Sequence, residues 1–416
     1  MIYREALAWL YGTQRFGIKL GLENVQRLFR ELDVPGPEQR IIHVAGTNGK
    51  GSVCAMIDSI ARAAGYRTGL FTSPHLITYR ERIRVNGQMI SPKEVASGLT
   101  TLRDLIKDWE PHPTFFEITT ALALVHFENA TCELLVLETG LGGRLDATNA
   151  VTPIVSVITP IGYDHEKWLG HTLEAIAGEK AGIIKANVPV VSAPQQPAAE
   201  KVIRARATEC AAPLEFVAAI SDRRPGKSST VRDRRYKIAL AGAHQEQNAA
   251  LAIAALQAGK IAVTDDAIVR GLASVDWPAR FQRWDERTII DGAHNPGGAQ
   301  VLAETWREQF GAEHATIILA VLREKNVAEI CRILASIAAR FILPQIRAER
   351  ALSPNELAPH LSALGLPYSI APSFAHAFDS ARTNSDHILI TGSLHFAGEA
   401  LATLSGNPDS LEDCAQ

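Results

Sequence analysis

Along this chain, short unbroken apolar runs alternate with stretches in which apolar residues recur every three or four positions. In the first half the runs are RIIHVAG (40–46), TGLFT (68–72), LLVLE (134–138), IVSVIT (154–159) and VPVVS (188–192). Unbroken runs of this length suit strands covered on both faces, the habit of parallel sheets. Between the first two, Val53, Met56, Ile57, Ile60 and Ala64 fall at helical spacing, and Gly65 supplies a stop. Strand, glycine-rich loop, helix and strand make a βαβ unit, so the fold class is α/β with a mostly parallel sheet. The pattern changes near VDWPARFQRW (275–284). A second series follows, with RTIIDGAH (287–294), TIILAVL (316–322), RFILP (340–344) and HILITGS (387–393). The boundary is placed within 276–282, giving one unit over 1–278 and a smaller, Rossmann-like α/β unit over 279–416.

The length of 416 residues agrees with two domains rather than one core. The net charge of −3 gives no bulk electrostatic case for nucleic acid or an anionic membrane. The basic interval SDRRPGKSSTVRDRR (221–235) is broken by Asp222, Pro225 and Asp233, and is expected as a solvated loop or hairpin. The opening MIYREALAWLYGT puts Arg4 and Glu5 in the first turn of an amphipathic helix, unlike a signal peptide. No stretch reaches the ~20 apolar residues of a membrane helix. A cytoplasmic protein is expected, and nothing demands more than a monomer. Cys54, Cys132, Cys210, Cys331 and Cys414 form no CxxC pair, against a zinc ribbon, a redox pair or a disulfide scaffold. Cys54 suits a small buried thiol.

The chemistry-bearing segments follow the strands of the first unit. Gly46-Thr47-Asn48-Gly49-Lys50-Gly51-Ser52 lies between a strand and a helix, where backbone N–H groups and the helix dipole favour phosphate. Lys50 can reach terminal phosphates as a point charge. The loop is of P-loop type but departs from GxxxxGK[ST], because Gly51 stands where the metal-binding hydroxyl is usual. That hydroxyl must come from Ser52 or elsewhere, and Ser73 at the end of the next strand is a candidate. Glu138 closes an apolar strand, where a carboxylate is costly unless a cation meets it. Magnesium, which prefers oxygen donors, is the natural partner, with pairing to Arg144 as the rival. His165, in GYDH (162–165), shares this edge of the sheet. Lys180, in GEKAGIIK (178–185), is most simply a solvated helix residue.

In this order the segments resemble the folylpolyglutamate synthase and dihydrofolate synthase family of the ATP-dependent Mur ligases. The resemblance rests on GTNGKGS (46–52), SPHL (73–76), ETGLGGRLDATN (138–149), GYDH (162–165), EKAGIIK (179–185), HQEQNAALA (244–252) and DGAHNP (291–296). It implies that a substrate carboxylate takes the γ-phosphate of ATP as an acyl phosphate, which the amine of L-glutamate then attacks, releasing phosphate. By the same resemblance Gly49, Lys50, Gly51 and Ser52 contact ATP phosphates. Asn248 lies on the adenine side, and Arg280 and Asp291 reach the nucleotide from the linker and second unit. Ser73, Glu138 and His165 match magnesium positions, and two Mg²⁺ ions are implied. Lys180 matches a lysine carbamylated in the family. His294 is a glutamate or phosphate contact, and Lys50, Lys180, His165 and His294 form the implied catalytic set. The pterin substrate is implied near Gly21-Leu22-Glu23-Asn24, Thr114-Phe115-Phe116-Glu117 and Leu145-Asp146-Ala147, with Phe115 and Phe116 offering flat apolar surface for the ring, although at least one of the two is expected to be core. The segment Leu322-Arg323-Glu324-Lys325-Asn326 departs from the family by lacking an aspartate near Asn326.

A bifunctional enzyme is the expected form, joining L-glutamate to dihydropteroate and then to tetrahydrofolates. The alternatives are folylpolyglutamate synthesis alone, a cell-wall Mur-type ligase and a non-catalytic ATP-binding module. A loop beginning at residue 46 leaves little room for the extra N-terminal domain usual in cell-wall enzymes, and the set of Lys50, Glu138, His165 and Lys180 opposes a module without catalysis.

Overall fold

The computed structural model describes residues 1–17, 21–218, 236–348 and 350–412. The basic interval 221–235 and Cys414 lie outside the described residues. Among the described residues the strands form two sheets. The first contains β1 (Arg40–Ala45), β2 (Thr68–Phe71), β3 (Ile83–Val85), β4 (Gln88–Met89), β5 (Leu134–Glu138), β6 (Val155–Ile158), β7 (Val190–Ser192) and β8 (Leu214–Phe216), in the order β4-β3-β2-β5-β1-β6-β7-β8. Only β3 and β4 run antiparallel to their neighbours. The second contains β9 (Gln282–Arg283), β10 (Thr288–Ile290), β11 (Ala315–Leu319), β12 (Ala338–Pro344), β13 (Tyr368–Ala371) and β14 (Ile388–Thr391), in the order β13-β12-β11-β14-β10-β9. There β9 alone is antiparallel.

Strand β1 runs through the middle of the first sheet, parallel to β5 and β6, and is buried from Ile41 onward. Its side chains alternate between two cores. Ile42 and Val44 pack with Met56, Ile57 and Leu251 under the helices Lys50–Ala63 and His244–Ala258. Ile41 joins Leu28, Phe71 and Phe127 on the opposite face, beneath Phe115–Asn129 and the two N-terminal helices. Burial on both faces is why these strands are continuous apolar runs. Each expected run contains a strand, most within a residue or two at each end, but β10 stops at Ile290 and β11 at Leu319, so the ends of the expected 287–294 and 316–322 runs are loop. Strands β3, β4, β8, β9 and β13 carry no comparable run; each is short, and β13 is an exposed edge.

The chain's last described residues return to the first sheet. Glu412 accepts hydrogen bonds from Tyr3 Oη (3.0 Å), Thr78 Oγ1 (3.1 Å) and the Tyr79 N–H (2.6 Å), and its own N–H donates to Ile77 O (2.8 Å). Nearby, the helix Leu394–Leu404 lies so close to the 76–79 segment that a Cβ on Gly398 would fall 1.9 Å from Leu76 O. No described helix is long and apolar enough to cross a membrane.

Candidate active site

The glycine-rich loop leaves β1 and turns into a helix that begins at Lys50, three residues before the apolar spacing suggested. The turn needs two positive φ values, at Gly46 (146°) and Gly49 (88°). A side chain at Gly46 would also strike Thr159, its Cβ 1.9 Å from Oγ1. The loop is tied to the end of β6, with the Thr47 N–H donating to Pro160 O (3.0 Å) and the Gly162 N–H donating to Thr47 Oγ1 (3.1 Å). Lys50 Nζ folds back onto Gly46 O and Thr47 O, at 3.3 Å each. Asn248 backs the loop, since a Cβ at Gly49 would lie 2.7 Å from its Oδ1. Ser52 is buried. At Gly51 the unusual residue has a steric reason: a Cβ there would fall 2.8 Å from Trp277 Nε1.

Lys180 is not solvated. It is 5% exposed, and its Nζ donates to Gly46 O at 2.7 Å. Burial, with Lys50 adding to it, pulls this amine down to about 7 from an ordinary 10.5. Two lysines thus share one loop carbonyl, and one of them gives up its proton far more readily than an ordinary lysine.

Glu138 and Ser73 meet at the neighbouring strand ends. The Ser73 N–H donates to Glu138 Oε2 at 3.1 Å, and both residues are buried. Burial raises the Glu138 carboxyl above its usual range, opposed chiefly by Lys50. Arg144 pairs instead with Glu179 at 2.8 Å, so the rival partner for Glu138 is excluded. The Ser73 hydroxyl oxygen is buried without a hydrogen-bond partner. A buried carboxylate beside an unpartnered hydroxyl is an oxygen-donor set that suits a hard divalent cation. The third expected ligand is less committed. His165 sits in the left-handed region (φ 53°), 38% of its side chain exposed, with Nε2 3.9 Å from Asp164 Oδ2. Among the described residues no three His, Cys, Asp or Glu side chains gather as a metal cage. A cation here would draw its remaining ligands from phosphate and water, as magnesium commonly does. A small cleft opens in front of this pair, lined by Gly51, Ser73, Arg84, Glu138, Trp277 and Arg280, among others.

Asp164 joins the two sheets. Lys325 Nζ contacts its Oδ1 at 2.5 Å, Asn295 Nδ2 donates to its Oδ2 at 3.0 Å, and His294 Nε2 stands 3.6 Å away. Burial works against ionisation, but the neighbouring His294 ring and the Lys325 ammonium hold the carboxyl well below its usual range. Asn295 also pairs amide to amide with Asn48 of the loop, at 3.0 and 3.1 Å. Sequence reasoning did not single out Asp164, Asn48, Asn295, Lys325 or Trp277. For Asn295 the signal was present, because Asn before Pro is a strong helix N-cap, and its Oδ1 accepts the Gly298 N–H (2.8 Å). Asn326 has a local task in place of the expected aspartate: its Oδ1 accepts the Glu329 N–H (3.3 Å) and caps the helix Val327–Leu334.

Asp291 uses both oxygens on backbone, accepting from the Phe281 N–H (2.7 Å) and the Ala293 N–H (2.8 Å). It fixes the turn that carries His294 and presents partly buried Arg280, which faces Glu138 across the cleft. His294 Nδ1 is anchored on Gly292 O at 2.8 Å.

The expected substrate-side segments have structural duties of their own. Thr114 and Glu117 are a reciprocal cap on the helix Phe115–Asn129. Phe115 is core, stacked on Tyr11 with centroids 5.6 Å apart. Phe116 is partly buried against Phe71, and a Cβ at Gly140 would lie 2.5 Å from its ring. Asp146 turns its carboxylate inward, accepting from the Leu141 N–H (2.9 Å) and from Thr148 N–H and Oγ1 (3.0 and 2.5 Å). It thereby closes the loop whose partly exposed Leu145 and buried Ala147 flank it. Gly21 and Leu22 lead into the helix Glu23–Leu32, and Asn24 Nδ2 donates to Pro111 O at 2.9 Å. Together Gly21–Asn24, Phe116 and Leu145–Ala147 lie around the first sheet on the side opposite the helix Lys50–Ala63.

Comparison with known proteins gives one result along the whole chain. The Mur ligase middle domain matches residues 44–256, and the Mur ligase, glutamate ligase domain matches residues 279–394. The dihydrofolate synthase/folylpolyglutamate synthase of Bacillus subtilis is 38% identical over 420 residues, covering 95% of this chain and 98% of the relative. The solved structure of E. coli FolC in complex with DHPP and ADP superposes with a TM-score of 0.84 at 31% identity, covering 96% of this chain and 98% of that one. A Yersinia pestis bifunctional folylpolyglutamate synthase/dihydrofolate synthase, complexed with AMPPNP and Mn ion, gives 0.87 at 30% identity over 97% and 98%.

Proposed function

From the premise that this chain belongs to the Mur ligase family, among the dihydrofolate and folylpolyglutamate synthases, we propose that it is an ATP-dependent ligase. It joins L-glutamate to dihydropteroate, making dihydrofolate, and to tetrahydrofolates, extending their glutamate chain. The observation that carries the reading is the meeting of Lys50 and Lys180 on the Gly46 carbonyl, beside the Glu138–Ser73 pair.

The loop residues Gly49 to Ser52 present backbone N–H groups and the helix N-terminus to the phosphates of ATP, with Asn248 behind the loop on the adenine side. Lys50 turns from the loop carbonyls to the terminal phosphate as it arrives. Arg280, positioned by Asp291, reaches the nucleotide from the second sheet. Ser73, Glu138 and His165 would hold Mg²⁺, two ions in all; bound there, the cation neutralises phosphate charge as the phosphoryl group transfers. The substrate carboxylate takes the γ-phosphoryl group, the glutamate amine attacks the resulting acyl phosphate, and phosphate leaves. His294, carried by the second unit, faces the glutamate or the departing phosphate. Lys180 has the properties of a carbamylation site: a readily deprotonated amine attacks CO₂, forming an N–C bond and releasing one proton. The pterin lies by Gly21–Asn24, Thr114–Glu117 and Leu145–Ala147, with Phe116 as its aromatic wall. The two units, 1–278 and 279–416, close on the nucleotide, the enzyme acts as a monomer, and it resides in the cytoplasm.

The test is ATP-dependent phosphate release with L-glutamate plus either dihydropteroate or a tetrahydrofolate. Release with both is expected. Release with tetrahydrofolate alone would leave folylpolyglutamate synthesis only, and release with neither would overturn the ligase reading.

A further inference from the structure

His43 lies in the middle of β1, fully buried between β5 and β6, three residues before the nucleotide loop. Nothing in the chemistry above uses it. Imidazole in a parallel-sheet core is costly unless its polar atoms are engaged. Its Nε2 is 2.8 Å from Thr148 Oγ1 and 3.0 Å from Thr139 Oγ1, whereas Nδ1 has no partner.

The proton positions follow from these contacts. Thr148 Oγ1 directs its own hydrogen to Asp146 Oδ1, 2.5 Å away, and therefore accepts at its lone pairs. With Asp146 as the carboxylate that accepts from Thr148, Nε2 carries the imidazole hydrogen and donates it to Thr148. Nδ1 is the bare nitrogen, and a leftover lone pair is a milder deficit than a leftover N–H. Burial holds the ring neutral, its conjugate acid pulled down to about 3. The chain of donors runs from His43 Nε2–H to the Thr148 hydroxyl and on to the Asp146 carboxylate, which also accepts the Leu141 N–H.

We propose that His43 is a positioning residue for the pterin-binding loop, acting through Thr148 and Asp146 to hold Gly140–Ala147 in its binding shape. This rests on the pterin-site reading given above. The relay touches neither ATP nor Glu138, so its loss should fall on one substrate only.

The test uses the full-length enzyme with His43→Leu, His43→Gln, Thr148→Val and the double variant His43→Leu/Thr148→Val. Leucine removes the donor, while glutamine places an amide N–H near the position of Nε2. Thr148→Val breaks the relay from the other end and is nearly isosteric. His43→Leu and Thr148→Val should each raise KM for dihydropteroate by about tenfold, the factor one or two buried hydrogen bonds supply. KM for ATP should stay within about twofold, a shift too small to count as one lost hydrogen bond. His43→Gln should recover most of the loss, and the double variant should be no worse than the poorer single. Nitrogen-15 spectra of the labelled wild type should show a neutral Nε2–H tautomer at pH 6 to 8, a readout independent of turnover. Equal rises in both KM values, additive losses, or an Nδ1–H tautomer would each overturn the relay. If the wild type itself releases no phosphate with dihydropteroate and glutamate, the functional reading fails instead, and the tautomer still tests the hydrogen-bond chain.

Discussion

Replacing Gly51 by serine would restore the common form of the phosphate loop, and on sequence grounds should be harmless or helpful. Serine is the better helix former by about 0.5 kcal/mol, and the position lies in the first turn of Lys50–Ala63. The structure reverses the sign. A Cβ at Gly51 would stand 2.8 Å from Trp277 Nε1 and 3.3 Å from Cε2 and Cζ2. Comfortable separations are about 3.5–4.0 Å. The indole has little freedom to yield: it is rigid, followed by Pro278, and backed by the Arg84 guanidinium 5.3 Å from its centroid. Overpacking of this kind costs about 1–3 kcal/mol, which exceeds the helix-propensity gain. Gly51→Ser should therefore unfold at lower urea concentration and bind ATP more weakly, because Trp277 is displaced from the cleft wall. In a Trp277→Ala background the same substitution should cost nothing or stabilise slightly. The assay is a double-variant cycle by urea denaturation, with ATP KM measured in parallel. Gly51→Ser as stable as the wild type, or equally damaging in both backgrounds, would refute the steric argument.

Lys50→Ala should abolish phosphate release while leaving the circular dichroism spectrum unchanged. Lys180 offers a pH test: its folded amine titrates near 7 and the unfolded one near 10.5, so between those values the unfolded chain binds the extra proton and wild-type stability rises with pH. Lys180→Met should lack that rise in CO₂-free buffer, its stability advantage being largest at pH 7 and fading toward pH 10; parallel slopes for the two proteins would refute this. Asp164→Asn leaves the Lys325 ammonium, 10% exposed, without its counter-charge, and breaking a buried pair costs about 3–5 kcal/mol. Asp164→Asn/Lys325→Met should recover much of that loss in thermal unfolding.

The sequence was most legible where one residue does one thing. Buried parallel strands declared themselves as apolar runs, and the glycine loop as a strand-to-helix turn. The matches along the chain to Mur ligase domains agree with the resemblance carried by the ordered motifs. Legibility failed where a side chain serves two purposes or where its depth decides its chemistry. TFFE is a helix capping box, a duty not read from its sequence; that at least one of its two aromatics is core was expected, and the fold shows it to be Phe115. Lys180 sits on a helix of mixed pattern, and only the fold shows it buried against Gly46. Trp277 and Lys325 had no local signal, because each acquires its meaning from a residue more than a hundred positions away.

The contacts between the two sheets differ at their two edges, and the difference has a mechanical consequence. At one edge Gly398 meets the Leu76 carbonyl with no room for a side chain, and Glu412 gathers Tyr3, Thr78 and Tyr79 beside it. Close backbone packing of this kind resists sliding. At the other edge the contacts are polar and directed: Asn48 to Asn295, and Asp164 to Lys325. Arriving phosphates and carboxylates can compete for those groups, because they offer the same kinds of partner. Motion between the units should therefore pivot near Leu76–Tyr79 and act at Asp164. Spin labels at Lys167 and Glu324 report the polar edge, and labels at Gln88 and Ser410 the packed one. Adding a non-hydrolysable ATP analogue with dihydropteroate and glutamate should shift the first distance and leave the second nearly fixed. Equal shifts in both pairs would mean that the packed edge is no pivot. A fixed distance in both would mean that the polar edge does not yield to ligand.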